Sequence, residues 1–336
     1  MVRAVVLRNR SGRALAFLAA LLSVAGLGSA SRAAVVLNDG FSTSTLNVVA
    51  GLPTSSSTTY QIASTKNATS SIAAGHLIVN MPSTTSGVTE AQALFSAAPV
   101  TLGAAGNFVE FQMTFTNTNI LVTGATDTLY FGMFSSGGTA PLSGLQTSGL
   151  NTTASSAFAT GGAQLWQGYI SNIAAASSRV IARPQQIGAG TTSANQELLA
   201  NGASGGTFNN PAGTQVTPTL TQATTLLTAT AYTEIYRVTL NGDGSETISS
   251  NLFQGIDNTG TLVLSQSVTT STTPLTTSFD GLAFGWRHSI GTASATTMDV
   301  TALSVNATVS AAVPEPAALS ILALGGLGLL ARRRRT

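Results

Sequence analysis

The chain has 336 residues, with 14 Lys and Arg against 12 Asp and Glu, no cysteine, and only 8% charged side chains. The missing cysteines exclude thiol nucleophiles, thiolate metal sites and disulfides, and the length is ample for a core that needs none. The formal charge of +2 belongs to the two ends; the interval between them holds five basic residues against eleven acids, so no basic patch for nucleic acid is available.

Residues 1–34 read as a secretory leader. Arg3, Arg8, Arg10 and Arg13 make a cationic start, 14–27 is an apolar run, and small residues offer cleavage after Ala30, Ala33 or Ala34. The run is short for an uncleaved spanning helix.

Residues 35–307 predict β-structure throughout. Helical periodicity is nearly absent, and short alternating runs recur between Gly, Asn, Ser and Thr turns. In 107–116, Val109, Phe111, Met113 and Phe115 share one face, and Glu110, Gln112 and Thr114 the other, as in a strand with one wet side. The run 128–134 puts Leu129, Phe131 and Met133 together. Further strands are expected at 76–81, 164–173, 260–268, 282–287 and 297–309. A hairpin joins 232–240 to 245–253 across Asn241-Gly242-Asp243-Gly244, because Asn-Gly and Asp-Gly supply positive φ. In 297–309 the apolar parity shifts from Met298 and Val300 to Leu303 and Val305, the mark of a β-bulge. Residues 135–163 and 183–231 are weakly patterned and read as long loops or hidden strands. Some ten to fourteen short strands without helices imply an all-β, two-sheet antiparallel sandwich. A β-helix is disfavoured, since no repeat of 20–25 residues recurs.

Residues 308–312 form a linker, and 313–336 carry three signals in order: Val313-Pro314-Glu315-Pro316, the uncharged run 317–331, and Arg332, Arg333, Arg334 and Arg335. As a helix the run covers roughly 22 Å of a ~30 Å hydrocarbon core, so it spans with snorkelling arginines and local thinning. The arginines keep that end cytoplasmic. The prolines cannot extend the helix upstream and mark an extended boundary outside the membrane.

This tail resembles the PEP-CTERM sorting signal of Gram-negative bacteria. The resemblance implies that exosortase, a membrane transpeptidase, reads Val313, Pro314, Glu315 and Pro316 as its motif and Arg332–Arg335 as the basic end, then passes the protein to the cell surface or extracellular polymer matrix. With a Sec-type leader in front, everything between the ends lies across the inner membrane. The body resembles concanavalin A-like jelly rolls more loosely, through Phe279-Asp280-Gly281-Leu282-Ala283-Phe284-Gly285-Trp286-Arg287, a loop, and Met298-Asp299-Val300.

Catalytic constellations are missing. His76 and His288 stand far apart, with no H-x-x-x-H pair or G-x-S-x-G elbow. Glu110, Glu234 and Asp299 lack an acidic neighbour at i+2, and nothing matches the E-x-D-x-x-E strand of laminarinase-like jelly rolls; paired carboxylates are what glycoside hydrolysis needs. Asp243, Asp257, Asp280 and Asp299 lie in or near turns and are weak candidates for a structural Ca²⁺, the one cofactor considered. Trp166, Tyr169, Tyr236 and Trp286 are candidate sugar platforms, with core packing as the competing role. Asn67, Asn151 and Asn306 sit in N-x-T sequons and are given no weight. The reading is a non-catalytic structural or adhesive β domain on a sorted surface protein. A polysaccharide-binding module is the alternative, and a polysaccharide-degrading enzyme is third.

Overall fold

The computed structural model describes residues 32–64, 68–81, 87–118, 128–141, 162–174, 179–185, 198–199, 215–216, 226–288 and 296–309. The chain divides into a body, Ala33–Thr308, and a second unit of Met1–Arg32 with Val309–Thr336. Of the second unit only Arg32 and Val309 are described.

Among the described residues, two eight-stranded sheets form the body. The first runs β15 (Thr261–Thr269), β14 (Glu246–Gln254), β13 (Tyr232–Leu240), β8 (Phe108–Asn117), β18 (Thr296–Val309), β5 (His76–Met81) and β4 (Thr69–Ala73), with β1 (Arg32–Asp39) also on β18. The second runs β12 (Gln215–Val216), β11 (Arg179–Arg183), β10 (Gln167–Ala174), β9 (Thr128–Ser135), β17 (Gly281–His288), β6 (Gly87–Leu94), β3 (Thr59–Ser64) and β2 (Thr45–Leu46). A two-stranded ribbon pairs β7 (Val100–Thr101) with β16 (Ser278–Phe279). The main ladders are antiparallel, while β2 is parallel to β3. The expected all-β sandwich is what forms. Its core is aromatic: Phe111 of β8 lies 6.2 Å from Phe131 of β9 and 6.3 Å from Phe284 of β17, between ring centroids. Each such ring removed from water contributes about 1.5–3 kcal/mol.

The local expectations survive where alternation is strong. β8 buries Val109, Phe111, Met113 and Phe115 and leaves Glu110 and Gln112 half-exposed, while Thr114, expected on the wet face, is buried with its hydroxyl against Thr233 and the Ile256 carbonyl. The β13–β14 hairpin pairs Tyr232 with Gln254 through to Leu240 with Glu246. It is closed by Asn241 N–H to the Ser245 carbonyl at 2.8 Å, and Gly244 supplies the positive φ. The β18 register against β8 slips between Val300 and Ala302, which is the bulge the parity shift predicts.

The structure departs from the sequence reading in three places. The strand expected at 164–173 begins at Gln167, because Gly162–Leu165 is a 3₁₀ turn. Arg32, Ala33 and Ala34, assigned to the leader, are the first residues of β1. Strands β3, β4, β6 and β11 were not expected: β6 shows no period-2 contrast, and β3, although Tyr60 and Ile62 share one parity, is only six residues long. The 3₁₀ turn is the sole helical element among the described residues, none of which forms a helix long and apolar enough to cross a membrane. The expected leader and tail helices lie outside the described residues.

The second sheet is covered on both sides. Leu129, Phe131, Met133, Leu282 and Phe284 face the first sheet. The opposite parity, Tyr130, Phe134, Ile170, Ile181 and Ala283, builds a second cluster with Trp166, Leu198 and Leu199. Small residues on that face let the cover approach: a Cβ at Gly281 would stand 2.4 Å from the Trp166 ring.

Candidate functional site

The four rings proposed for sugar stacking are all in the cores. Trp166 and Tyr236 have no exposed surface, Trp286 has 1% and Tyr169 2%. Trp166 packs 6.1 Å from Phe134 and donates its Nε1–H to the Thr139 carbonyl at 2.9 Å. The Tyr169 hydroxyl accepts the Leu275 N–H at 2.8 Å. None offers a ring face to solvent, so their geometry is that of packing residues.

The four aspartates proposed for calcium serve four separate turns and strands. Asp243 accepts from Ser245 N–H at 2.9 Å and Ser245 Oγ at 2.6 Å, and those donors hold its carboxyl below the ordinary range. Asp257 is held the same way by Thr259 N–H at 2.8 Å and its hydroxyl at 2.7 Å. Asp280 accepts Ser136 N–H and Oγ, each at 2.7 Å; burial raises its carboxyl all the same. Asp299 Oδ1 lies 2.9 Å from His76 Nδ1. Among the described residues no group of three or more His, Asp and Glu is placed to hold a metal ion. Glu110 pairs with Arg237 at 3.5 Å, and that guanidinium sits 3.6 Å above the Phe108 ring. His288 is the last residue of β17.

Three buried carboxyls stand out instead. On the outer face of the second sheet, Glu90 of β6 accepts Leu198 N–H at 2.6 Å, Leu199 N–H at 2.9 Å and Gln92 Nε2 at 2.5 Å. Burial pushes it up to about 7, while these donors and the Arg183 charge pull the other way. Its role is a clamp on the backbone that covers the sheet. Between the sheets runs a directional hydrogen-bond chain: Gln266 Nε2 donates to Ser171 Oγ, Ser171 Oγ to Ser250 Oγ at 2.7 Å, and Ser250 Oγ to Glu234 Oε1 at 2.6 Å. Burial raises Glu234 to about 8, against the opposing Ser250 bond. Glu246 rises to about 7 by burial, with the Tyr169 hydroxyl beside it acting in the opposite sense. Glu234 and Glu246 are no hydrolytic pair. Glu234 is opposite Leu252 and Glu246 opposite Leu240, so six residues, about 20 Å of strand, separate them. Glu90 lies on the far side of the second sheet.

The inter-sheet chain was partly legible. Glu234 shares parity with Tyr232, Tyr236 and Val238, and Glu246 with Ile248 and Leu252, so an acid in a buried parity was the available signal. Glu90 had none, because both faces of β6 mix small and polar residues and the partners at Leu198 and Leu199 lie more than a hundred positions away.

The sorting residues Val313, Pro314, Glu315, Pro316, Arg332, Arg333, Arg334 and Arg335 lie outside the described residues; description ends at Val309. No curated protein matches the chain significantly. Among solved structures, similar ones include the Emp47p carbohydrate recognition domain (9% identity, 74% of this chain and 89% of that one, TM-score 0.39). Basic winged bean lectin with Tn-antigen (11%, 74% and 93%, 0.38) and lectin I from Ulex europaeus with the methyl glycoside of α-L-fucose (15%, 74% and 92%, 0.35) are comparable. Likenesses this remote carry no information on ligand or reaction. The specific match is at the other end of the scale of length: residues 312–335 fit the PEP-CTERM protein-sorting motif, so the chain ends in that motif.

Proposed function

We propose that this is an exported surface protein, anchored as a precursor in the inner membrane by the run 317–331 and processed by exosortase at Val313–Pro316. The β-sandwich then serves at the cell surface or in the extracellular polymer matrix as a non-catalytic structural or adhesive domain. The match of residues 312–335 to the sorting motif carries the reading. The charge-poor body, rich in Ser and Thr, and the separation of its buried carboxyls support it. A sugar-binding body would have to use residues other than the four rings first considered, since those are buried.

The test is Pro314→Ala with Glu315→Ala, or removal of Arg332–Arg335, in the native host. The precursor is expected to accumulate in the inner membrane. Surface delivery equal to wild type for both variants would show that exosortase does not read this end.

A further inference from the structure

A line of four polar side chains crosses the core from one sheet to the other. Gln266 of β15, Ser250 of β14 and Glu234 of β13 belong to the first sheet, and Ser171 of β10 to the second. Ser171, Ser250 and Glu234 have no exposed surface and Gln266 has 2%. Aliphatic side chains would pack such a site more safely, since a buried polar group gains little when paired and costs much when not. Two groups here are not paired: among the described residues, Gln266 Oε1 and the Tyr236 hydroxyl have no hydrogen-bond partner. Cohesion alone does not account for the line.

Its donors run one way. Ser171 Oγ–H points to Ser250 Oγ at 2.7 Å, and Ser250 Oγ–H to Glu234 Oε1 at 2.6 Å. The Ser171 proton therefore has a path to a carboxyl group, and its oxygen is left to face Gln266, whose Nε2 donates to it. The Gln266 carbonyl carbon Cδ is one covalent bond beyond that nitrogen. A small side-chain rotation brings it within the roughly 3–3.5 Å of a near-attack contact. A hydroxyl, a base to take its proton and an electrophilic carbonyl are the parts of an acyl transfer. Burial holds Glu234 at about 8, and a higher pKa makes its ionised form the stronger base. Tyr236 is opposite Ser250, which is itself opposite Gln266. Its unpartnered hydroxyl is the donor available in that row for an oxygen that gains charge.

We infer that Ser171 and Gln266 join in an ester bond that staples the two sheets together. Ser171 Oγ attacks Gln266 Cδ as its proton passes through Ser250 Oγ to Glu234. The tetrahedral adduct collapses, the Cδ–Nε2 bond breaks, and the proton held on Glu234 goes to the leaving nitrogen. Ammonia is released, Glu234 is restored, and no oxidant or cofactor is consumed. Both residues are shut away from water, so the ester is shielded from hydrolysis once formed. In a chain without cysteine, the bond takes the place of a disulfide, linking β10 to β15, strands that share no ladder. It forms wherever the sandwich folds and does not depend on the sorting reading above.

Peptide mapping of the purified full chain tests this directly. Trypsin cuts after Lys66, Arg179, Arg237 and Arg287, which puts Ser171 in peptide 67–179 and Gln266 in peptide 238–287. From wild type these two should appear joined and lighter than their sum by one ammonia, and alkaline hydroxylamine should separate them. Ser171→Ala should abolish the joined product. Glu234→Gln, which keeps the acceptor for Ser250, should slow its formation during refolding by roughly a hundredfold. Separate peptides of full sequence mass from folded wild-type protein would overturn the inference and leave the line a packing feature. A missing ammonia confined to peptide 238–287 would overturn it in favour of a succinimide at Asn241–Gly242. A joined product that persists in Ser171→Ala would overturn it as well.

Discussion

Replacing Glu234 by Gln should flatten the pH dependence of stability. Glu234 is fully buried on the inner face of the first sheet and accepts one hydrogen bond, from Ser250 Oγ. Its pKa rises from 4.5 to about 8, because the charged form would sit in the core with no cation against it. The folded state therefore holds a proton that the unfolded chain releases above pH 4.5. By linkage the contribution is fully present below the unfolded pKa and is lost as pH rises toward the folded one. The slope is about 1.4 kcal/mol per pH unit, and the whole window is worth on the order of 5 kcal/mol at most. Glu90 and Glu246, each raised to about 7, add losses of the same sign, so wild type alone does not isolate Glu234. The difference between wild type and Glu234→Gln does, because the amide keeps the acceptor for Ser250 and cannot ionise. Urea unfolding at pH 5, 6, 7 and 8 should show wild type losing stability faster than the variant, with the gap growing by up to ~1.4 kcal/mol per unit. Parallel curves would refute the buried neutral acid, and a variant that loses stability faster than wild type across this range would refute its sign.

Gly281→Ala should destabilise the fold by about 1–3 kcal/mol, because the new methyl group meets the Trp166 ring at 2.4 Å. That ring is fixed by its Thr139 bond. Gly40→Ala, with nothing within 4 Å, is the control, and equal melting temperatures for the two would remove the close approach from the account. Leader cleavage should fall after Ala30, leaving β1 whole from Arg32. Mass spectrometry of the exported protein should then find Ser31 at the N-terminus, and a start at Val35 would show that the first three residues of β1 are dispensable.

Period-2 contrast made β8, β9 and the β13–β14 hairpin legible, together with the β18 bulge, because side chains alternate across a pleated strand whatever lies beyond it. The tail was legible for a different reason: a sorting motif is carried by the local order of residues alone. Three of the four aromatics illustrate the limit. Parity puts Tyr169, Tyr236 and Trp286 on a face with apolar neighbours but does not say whether a second layer covers that face.

Strand pairing and covering were decided only in three dimensions. Nothing local places β1 against the C-terminal half of β18, or brings the amides of Leu198 and Leu199 onto Glu90. The second sheet buries both parities because Trp166, Leu198 and Leu199 close its outer face, so Tyr130 and Phe134 are core residues as fully as Leu129, Phe131 and Met133 on the inner face. By itself, then, the sequence determined the strongly alternating strands, their faces and the sorting tail. The tertiary structure decided which faces meet water, because burial depends on contacts between segments far apart in the chain, and a strand's own pattern contains no record of its neighbours.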